Sequence, residues 1–238
     1  MIEVMNLNIL AFGAHPDDVE LFCSGTLIKM TDLGYSAGII DMTRGELSTR
    51  GNPETRSGEA EKAASIINAR IRVNVELPDG DIVNNRSNRM KIIELLRFYK
   101  PEIVILPYWE DRHPDHVNAS ELLKAACFQS GLAKINSGTE PHRPEYMLYY
   151  FNHAVAQPSF VVDISDEFDR KMKAIKSYGS QFHNPASNEP ETYISSRLFM
   201  ESVETRAKYF GFQIGVTYGE PFVIESVLKV NNLFDIFS

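Results

Sequence analysis

The 238-residue chain lacks several features that would place it in other classes of protein. It has two cysteines, Cys23 and Cys127, without the CxxC spacing of a zinc or redox motif. We interpret them as buried, reduced thiols of a cytosolic protein; a disulfide or a soft metal ligand is the alternative. No apolar run approaches the roughly 18 residues that a membrane span needs. Residues 1–6 lack a charged region followed by a long apolar stretch, so we expect no signal peptide and a cytoplasmic location.

Positive charge is also scarce. The chain has 24 Lys and Arg against 32 Asp and Glu, a net charge of −8. A general nucleic-acid or membrane-surface binder needs a basic face, so we expect neither partner. A small anionic substrate stays compatible if arginines cluster locally. The apolar content of 43% is ordinary for a globular protein that buries a large core.

A glycine-rich phosphate loop is missing after the first apolar run. That run leads into Gly13-Ala14-His15-Pro16-Asp17-Asp18. Two carboxylates would repel a pyrophosphate, and Pro16 removes a backbone donor. We therefore exclude a dinucleotide-binding function.

Short apolar runs alternate with helical patterns in the first half of the chain. The predicted strands are 8–14, 37–42, 73–77 and 103–106, and the predicted helices are 19–33, 54–69, 87–99 and 115–130. Asn52 can cap the second helix, and Pro53 suits its first position. Fully apolar strands separated by helices predict an α/β fold: a Rossmann-like, mostly parallel sheet with helices on both faces.

The second half is less regular. The predicted strands are 146–151, 159–163 and 222–228, the predicted helices are 166–178 and 195–210, and 181–190 is a polar loop. No repeat or linker is evident. We predict one domain over 1–238, with a regular core at 1–130 and a continuation at 131–238 that completes the site.

Two histidine–acid clusters follow the first and fourth predicted strands. They are His15-Pro16-Asp17-Asp18 and His113-Pro114-Asp115-His116. In a sheet of order 3-2-1-4-5 these strands are neighbours, and ligands bind beyond their carboxyl ends. Either cluster alone is more often a helix cap or a packing histidine. Together, on neighbouring strands, they favour a functional site in one crevice.

The residue types in the two clusters indicate a hydrolytic zinc site. Catalytic zinc keeps three protein ligands and an open position for water. His15 and Asp18, three residues apart, can face one ion, and His116 completes the set. Asp17 then fits the role of general base because it is not needed as a ligand. We expect one Zn²⁺ per chain, although Fe²⁺ or Co²⁺ suits the same ligands.

His113 and Asp115 supply further groups. His113 precedes the ligand His116 and can stabilise the developing oxyanion or protonate the leaving amine. Asp115 is expected to hold His113 in its charged form. Both are predicted catalytic residues together with Asp17.

At these residues the chain resembles the PIG-L-like, or LmbE-like, zinc deacetylases, which remove an acetyl group from an N-acetylglucosamine (GlcNAc) unit. The family motif of His, Pro or a small residue, Asp, Asp is matched at 15–18, and His-x-Asp-His at 113–116. The resemblance implies zinc on His15, Asp18 and His116, with Asp17 as base. It also implies that His113 is a charged electrophile.

Further segments are similar to the branch of this family that acts in bacillithiol synthesis. They are 11–15, 108–116, 180–182 and 215–220. This resemblance implies hydrolysis of GlcNAc-malate to glucosaminyl-malate and acetate. The alternatives are the same chemistry on a chitooligosaccharide, a lipid-linked GlcNAc or a thiol S-conjugate, or a non-catalytic metal- or sugar-binding protein. Relatives often form trimers or hexamers, so a homo-oligomer is expected.

Malate carries two carboxylates, so arginines should lie near the crevice. The candidates are Arg56, which in the family contacts the sugar, Arg112 beside the second cluster, and Arg143 at the malate end. The plain alternative is a solvated arginine or a structural ion pair. Some relatives place a tyrosine late in the chain, where this sequence has Phe199, with Tyr193 nearby.

Some polar residues after the predicted strands have no clear partner in sequence. Glu46 and Asp79 could touch sugar hydroxyls, although turn chemistry alone explains Pro78-Asp79-Gly80. We interpret His142, His153 and His183 as surface, packing or substrate-loop histidines.

Overall fold

The computed structural model describes residues 5–154 and 156–232. The strands are β1 (Ile9–Gly13), β2 (Ala37–Thr43), β3 (Ile71–Leu77), β4 (Ile103–Pro107), β5 (Tyr146–Tyr150), β6 (Phe160–Asp163) and β7 (Gly219–Ile224). The helices are α1 (Asp18–Phe22), α2 (Ser24–Asp32), α3 (Pro53–Ile67), α4 (Arg86–Tyr99), α5 (Pro114–Ser130), α6 (Phe168–Ile175) and α7 (Arg197–Gln213).

One sheet of order β3-β2-β1-β4-β5-β7-β6 runs through both halves of the chain. The first five strands are parallel, and β7 pairs antiparallel with both β5 and β6. The α/β fold is confirmed, and β1 and β4 are neighbours, with Ile9 opposite Ile103. The loops after β1 and β4 therefore leave from the same edge of the sheet.

Apolar cores lie on both faces of the sheet because side chains alternate along each strand. Leu10 and Phe12 of β1 pack on one face with helices α4 and α5. Ile9 and Ala11 pack on the other face with α2, α3 and α6. The expected helices on both faces are confirmed. The predicted cap is also present, since the Asn52 side chain accepts the N–H of Thr55 at the start of α3.

The predicted helix 19–33 is two helices in the structure. The break lies at Cys23, whose φ of −144° and ψ of 8° leave the helical region. Glu220 of β7 accepts hydrogen bonds from the N–H groups of Gly25 and Thr26, in the first turn of α2. A carboxylate at a helix N-terminus is stabilising. The break thus depends on a residue far away in sequence, which periodicity cannot show.

The last strand begins earlier than 222–228, because Gly219 to Phe222 pair with β6 and residues from Glu225 onward are mostly exposed. Cys23 and Cys127 are free and buried, as expected, and burial raises the pKa of the Cys127 thiol to about 12. Within the described residues, no helix is long and apolar enough to cross a bilayer. Residues 1–4 and 233–238, parts of the signal-peptide and domain predictions, lie outside the described residues.

Candidate active site

Both histidine–acid clusters lie at the carboxyl ends of β1 and β4, on the wall of one pocket of about 300 Å³. Five predicted residues line it: His15, Asp17, Asp18, His113 and His116. Arg56 and Arg112 line it too. The structure therefore brings together segments that are about 100 positions apart, as the parallel sheet order implies.

Asp18 lies between the two candidate histidine ligands. Its Oδ2 is 3.6 Å from His15 Nδ1, and its Oδ1 is 3.3 Å from His116 Nε2. The three side chains offer ligand atoms that all lie within 4.8 Å of one another. A carboxylate and two imidazoles at this spacing form a ligand set for a divalent transition metal.

The outer ring nitrogen of each histidine is held by carboxylates. His15 Nε2 is 3.1 Å from Asp79 Oδ1 and 3.3 Å from Asp115 Oδ2. His116 Nδ1 is 3.1 Å from Asp111 Oδ1. Carboxylates in this outer position fix the tautomer and aim the other nitrogen at a metal. His15 Nδ1 and His116 Nε2 are thereby left as the ligand atoms.

The electrostatics of the cluster favour a positive charge at its centre. Burial opposes protonation of His116, but Asp18 and Asp111 outweigh it and raise its pKa to about 9. Burial likewise opposes ionisation of Asp18, but His116 and His15 hold its pKa well below the usual range. A divalent cation would supply that positive charge, and the residues present fit one.

Two other groups are compact enough to hold a metal: His15–His113–Asp115 and Asp111–His116–His153. Their carboxylates are already engaged by the backbone. Asp115 accepts the N–H groups of Gly80 and Ile82, and Asp111 those of His113 and His153. Neither aspartate lines the pocket, whereas Asp18 does. Among the groups of the described residues, His15, Asp18 and His116 are therefore the favoured candidate ligands.

Asp17 has an unusual backbone conformation beside the ligands. Its φ is 141°, a region that residues with a Cβ rarely adopt and that is often found at functional sites. Arg56 donates from Nη2 to its Oδ2 at 2.6 Å. Burial raises the pKa of Asp17 to about 7, with Arg56 opposing the rise. A carboxyl group with such a pKa can take and return a proton near neutral pH.

The Arg56 guanidinium makes more hydrogen bonds within the chain than we expected for a residue that contacts the sugar. Besides Asp17, it donates to the carbonyl of Pro16 at 2.9 Å and to the hydroxyl of Ser48. Its bonds to both Pro16 and Asp17 hold the strained turn that carries the base. The structure thus gives Arg56 a positioning contact to Asp17 in addition to its place in the pocket wall.

The expectation that His113 is charged needs correction. His113 caps α5, and its Nδ1 accepts the N–H of Asp115 at 3.2 Å, which leaves the ring proton on Nε2. Burial, followed by the neighbouring His15 and His116, lowers the pKa of His113. The ring is therefore a neutral donor. The Asp115 carboxylate contacts His15 Nε2 and accepts the Gly80 N–H. It is therefore placed to orient the candidate ligand His15, and it does not hold a charge on the His113 ring.

The two remaining arginines differ in position. Arg112 is exposed at the pocket rim, with its guanidinium 4.3 Å from the centre of the Tyr193 ring. Arg143 lies elsewhere: it is 4.4 Å over the Phe128 ring and donates to the Phe128 carbonyl. The chain around it returns to the far end of α5, about 20 Å along the helix from His116 at roughly 1.5 Å per residue. Arg143 is not part of the wall of the active-site pocket, so the structure does not support its predicted place beside the substrate.

Sequence reasoning missed Asp111 and left His153 among surface, packing or substrate-loop histidines. His153 lines the pocket, and its ring stacks parallel to the His116 ring at 6.0 Å. Its backbone N–H donates to the Asp111 carboxylate at 2.7 Å. A usable signal existed, since His153 follows β5, which is parallel to β4 and ends at the same edge. Asp79, which the sequence suggested as a sugar contact or a turn residue, contacts His15 Nε2.

Phe199 stands at the position where the sequence analysis expects a tyrosine in some relatives, and Tyr193 is the nearby tyrosine. Phe199 lines the pocket and is buried, and Tyr193 lies outside it with 59% exposure, 5.4 Å away from Phe199 ring to ring. The tyrosine hydroxyl is therefore available only at the rim.

The fold and the cluster define an α/β protein with a candidate hydrolytic metal centre. A family model described as PIG-L, GlcNAc-PI de-N-acetylase, matches residues 10–127, which contain the three assigned ligands and Asp17. The chain belongs to the PIG-L family.

Similar proteins extend the likeness beyond this segment. The diacetylchitobiose deacetylase of Thermococcus kodakarensis is 29% identical over 227 residues, which cover 89% of this chain and 80% of that protein. A conserved protein of Thermus thermophilus is 37% identical, with a TM-score of 0.86 and coverage of 94% and 98%. The structure of N,N'-diacetylchitobiose deacetylase from Pyrococcus horikoshii is 26% identical, with a TM-score of 0.79 and coverage of 91% and 82%.

Proposed function

We propose that the protein hydrolyses the acetamide of a GlcNAc unit in a small conjugate, using a divalent metal held by His15, Asp18 and His116. The observation that carries this proposal is the position of Asp18 between two histidines whose outer nitrogens are held by carboxylates. Membership of the PIG-L family and the likeness to two diacetylchitobiose deacetylases support it.

The bound metal would lower the pKa of a water and polarise the amide carbonyl. Asp17 takes a proton from the attacking water, and Arg56 holds its carboxylate in place for that step. Asp17 then returns the proton to the nitrogen of the leaving amine. One group can serve both steps because Asp17 lines the pocket beside the candidate ligands and its carboxylate is held in place by Arg56.

His113 has a separate part in this mechanism. Its Nδ1 is occupied by the N–H of Asp115, so Nε2–H is the group that it can offer to substrate. We assign this N–H to the amide oxygen, where negative charge develops during attack. A donor fixed before the reaction begins costs no reorganisation when the charge appears.

GlcNAc-malate is the first candidate substrate, on the resemblance of the segments 11–15, 108–116, 180–182 and 215–220 to the bacillithiol branch. Diacetylchitobiose is the second, favoured by the two relatives that carry its name. Zinc is the first candidate metal. A homo-oligomer and a cytoplasmic location stay predictions.

The test is acetate release from GlcNAc-malate, free GlcNAc and diacetylchitobiose, each with metal-loaded protein. The variant Asp17→Asn should lose roughly 10²- to 10⁴-fold in rate, the usual range for a general base, while it keeps its metal. Asp169→Asn, an exposed aspartate on α6, is the matched control and should keep full activity. Release from none of the three substrates would contradict the proposed function. Undiminished turnover by Asp17→Asn would remove Asp17 from the mechanism.

A further inference from the structure

A second pocket adjoins the candidate active site. We call it the α7 pocket; it has a volume of about 420 Å³ and lies between α1, α7 and the segment after β5. It shares Leu21, Phe22, His153 and Phe199 with the active-site pocket. The His153 ring stands at the boundary, 6.0 Å from the His116 ring and 6.1 Å from the Phe22 ring. A substrate whose acetamide reaches the metal ligands can therefore extend past His153 into the α7 pocket.

Two adjacent side chains in the wall of the α7 pocket, Asn152 and His153, have buried polar atoms without a hydrogen-bond partner among the described residues. These atoms are Asn152 Oδ1 and Nδ2 and both ring nitrogens of His153, of which Nδ1 lies 3.4 Å from Asp111 Oδ1. Asn152 is only 1% exposed. Buried polar groups are almost always hydrogen-bonded, because an unmade bond costs the desolvation energy of the group. Two unmet groups on adjacent residues of one pocket indicate a ligand that meets them.

Arg206 brings a positive charge without an ion pair to the same pocket. Its guanidinium donates to the carbonyls of Phe151 and Asn152 and lies 5.3 Å over the Phe22 ring. Among the described residues no carboxylate forms an ion pair with it. Burial lowers its pKa to about 10 and outweighs Glu220 and Asp111, which act on it from further away and raise the pKa. A buried charge without a partner is costly.

The other cation of the α7 pocket shows the contrast. Lys171 is buried too, but it forms an ion pair with Glu220 at 2.5 Å and donates to the carbonyl of Leu21. Its charge is therefore neutralised within the chain. Arg206 alone is left to attract an anion from outside.

We propose that the α7 pocket binds a carboxylate-bearing group attached to the GlcNAc unit, with Arg206 as its charge partner and Asn152 and His153 as partners for its hydroxyl or carboxylate oxygens. This inference rests on the proposed function and names the class of substrate. It gives Arg206 the role that sequence reasoning assigned to Arg143.

Arg143 offers a matched control for a purely structural arginine. Like Arg206, it lies over a phenylalanine ring and donates to a backbone carbonyl, but it lines neither pocket. Removing its charge changes the net charge of the protein by the same amount. Any effect specific to Arg206 then reports its location.

The experiment compares GlcNAc-malate with its dimethyl ester, which has the same skeleton without the charges. Wild type should show a higher kcat/KM for the diacid. Arg206→Gln should lower kcat/KM for the diacid by about 10- to 100-fold, the range for losing a hydrogen bond to a charged group. The fall should come from a higher KM. The ratio of the two kcat/KM values, diacid over diester, should fall toward one in Arg206→Gln, and Arg143→Gln should keep the wild-type ratio.

Equal turnover of diacid and diester by wild type would overturn the inference and leave the proposed function standing. Turnover of neither would overturn the proposed function and the inference with it. An equal loss on both substrates in Arg206→Gln, with a lowered Tm, would show that Arg206 only supports the fold. If the variant does not fold, competitive inhibition of diester hydrolysis in wild type by free malate supports the inference, and its absence overturns it.

Discussion

The two walls of the cleft differ in how their polar groups are satisfied. On the wall formed by the loops after β1 and β4, His15 and His116 each pair with Asp18 on one side and with another carboxylate on the other. On the wall formed after β5 and along α7, Asn152 Oδ1, His153 Nε2 and the charge of Arg206 lack such partners. The first wall is organised by contacts within the chain, and we propose that substrate completes the second.

The family match follows the same division. It covers residues 10–127, which contain the whole of the first wall and stop before Asn152. The family model thus matches the segments that carry His15, Asp18 and His116, and the segments that carry Asn152, His153 and Arg206 lie beyond it.

Glu220 connects β7 to the first turn of α2 and to Lys171 of α6, and removing its charge should have the largest effect on stability. Its carboxylate pairs with Lys171 and accepts N–H groups of Gly25 and Thr26. Glu220→Gln leaves the Lys171 charge buried and unpaired, which should lower the free energy of unfolding by about 3–5 kcal/mol. Urea denaturation measures this loss.

The control for Glu220 is Glu201→Gln, because Glu201 pairs with Arg197 on the exposed face of α7. An exposed pair contributes about 0–1 kcal/mol, so this variant should unfold close to wild type. An equal change in the free energy of unfolding in the two variants would mean that the Glu220 contacts stabilise the fold no more than an exposed ion pair does.

Asp111 tests whether the first wall is organised by its outer carboxylates. Asp111→Asn removes the charge that holds His116 Nδ1 and should weaken metal binding by about 10- to 100-fold. Asp166→Asn, at an exposed position before α6, should leave the affinity unchanged. Competition with a chelator of known affinity measures both. Unchanged affinity in Asp111→Asn would show that the ligand geometry is set without it.

Tyr193 should have a small effect, on binding alone. Tyr193→Ala removes the ring beneath Arg112, a contact of about 0.5–1 kcal/mol at an exposed site, so KM should rise about 2- to 5-fold with kcat unchanged. Tyr193→Phe keeps the ring and should behave as wild type. Tyr35→Ala, an exposed tyrosine before β2, is the control. A fall in kcat in Tyr193→Phe would instead assign its hydroxyl to the reaction.

The sheet order and the convergence of the two histidine–acid clusters were predictable because they depend on short-range patterns. Fully apolar strands and intervening helices define a parallel sheet, and its order brings His15 and His116 to one edge. Asp17 and Asp18 follow from their place in the same turn as His15. These residues needed no knowledge of how distant side chains pack.

The arginines could not be placed in this way. Arg143 belongs to a loop whose path back to the far end of α5 is set by contacts such as His142 N–H to the Ser130 carbonyl. Arg206 is one of several charged residues on α7, and periodicity does not distinguish it from a solvated arginine. Its partners are backbone carbonyls at the end of β5, which only tertiary packing brings near.

The assignment of the metal ligands is tested most directly by titrating the apoprotein with Co²⁺ and following the ligand-field absorption. We expect one ion per chain in wild type, a loss of that site in Asp18→Ala, and its retention in both His113→Ala and His153→Ala. Retention in Asp18→Ala with loss in His153→Ala would contradict it and move the metal to Asp111, His116 and His153.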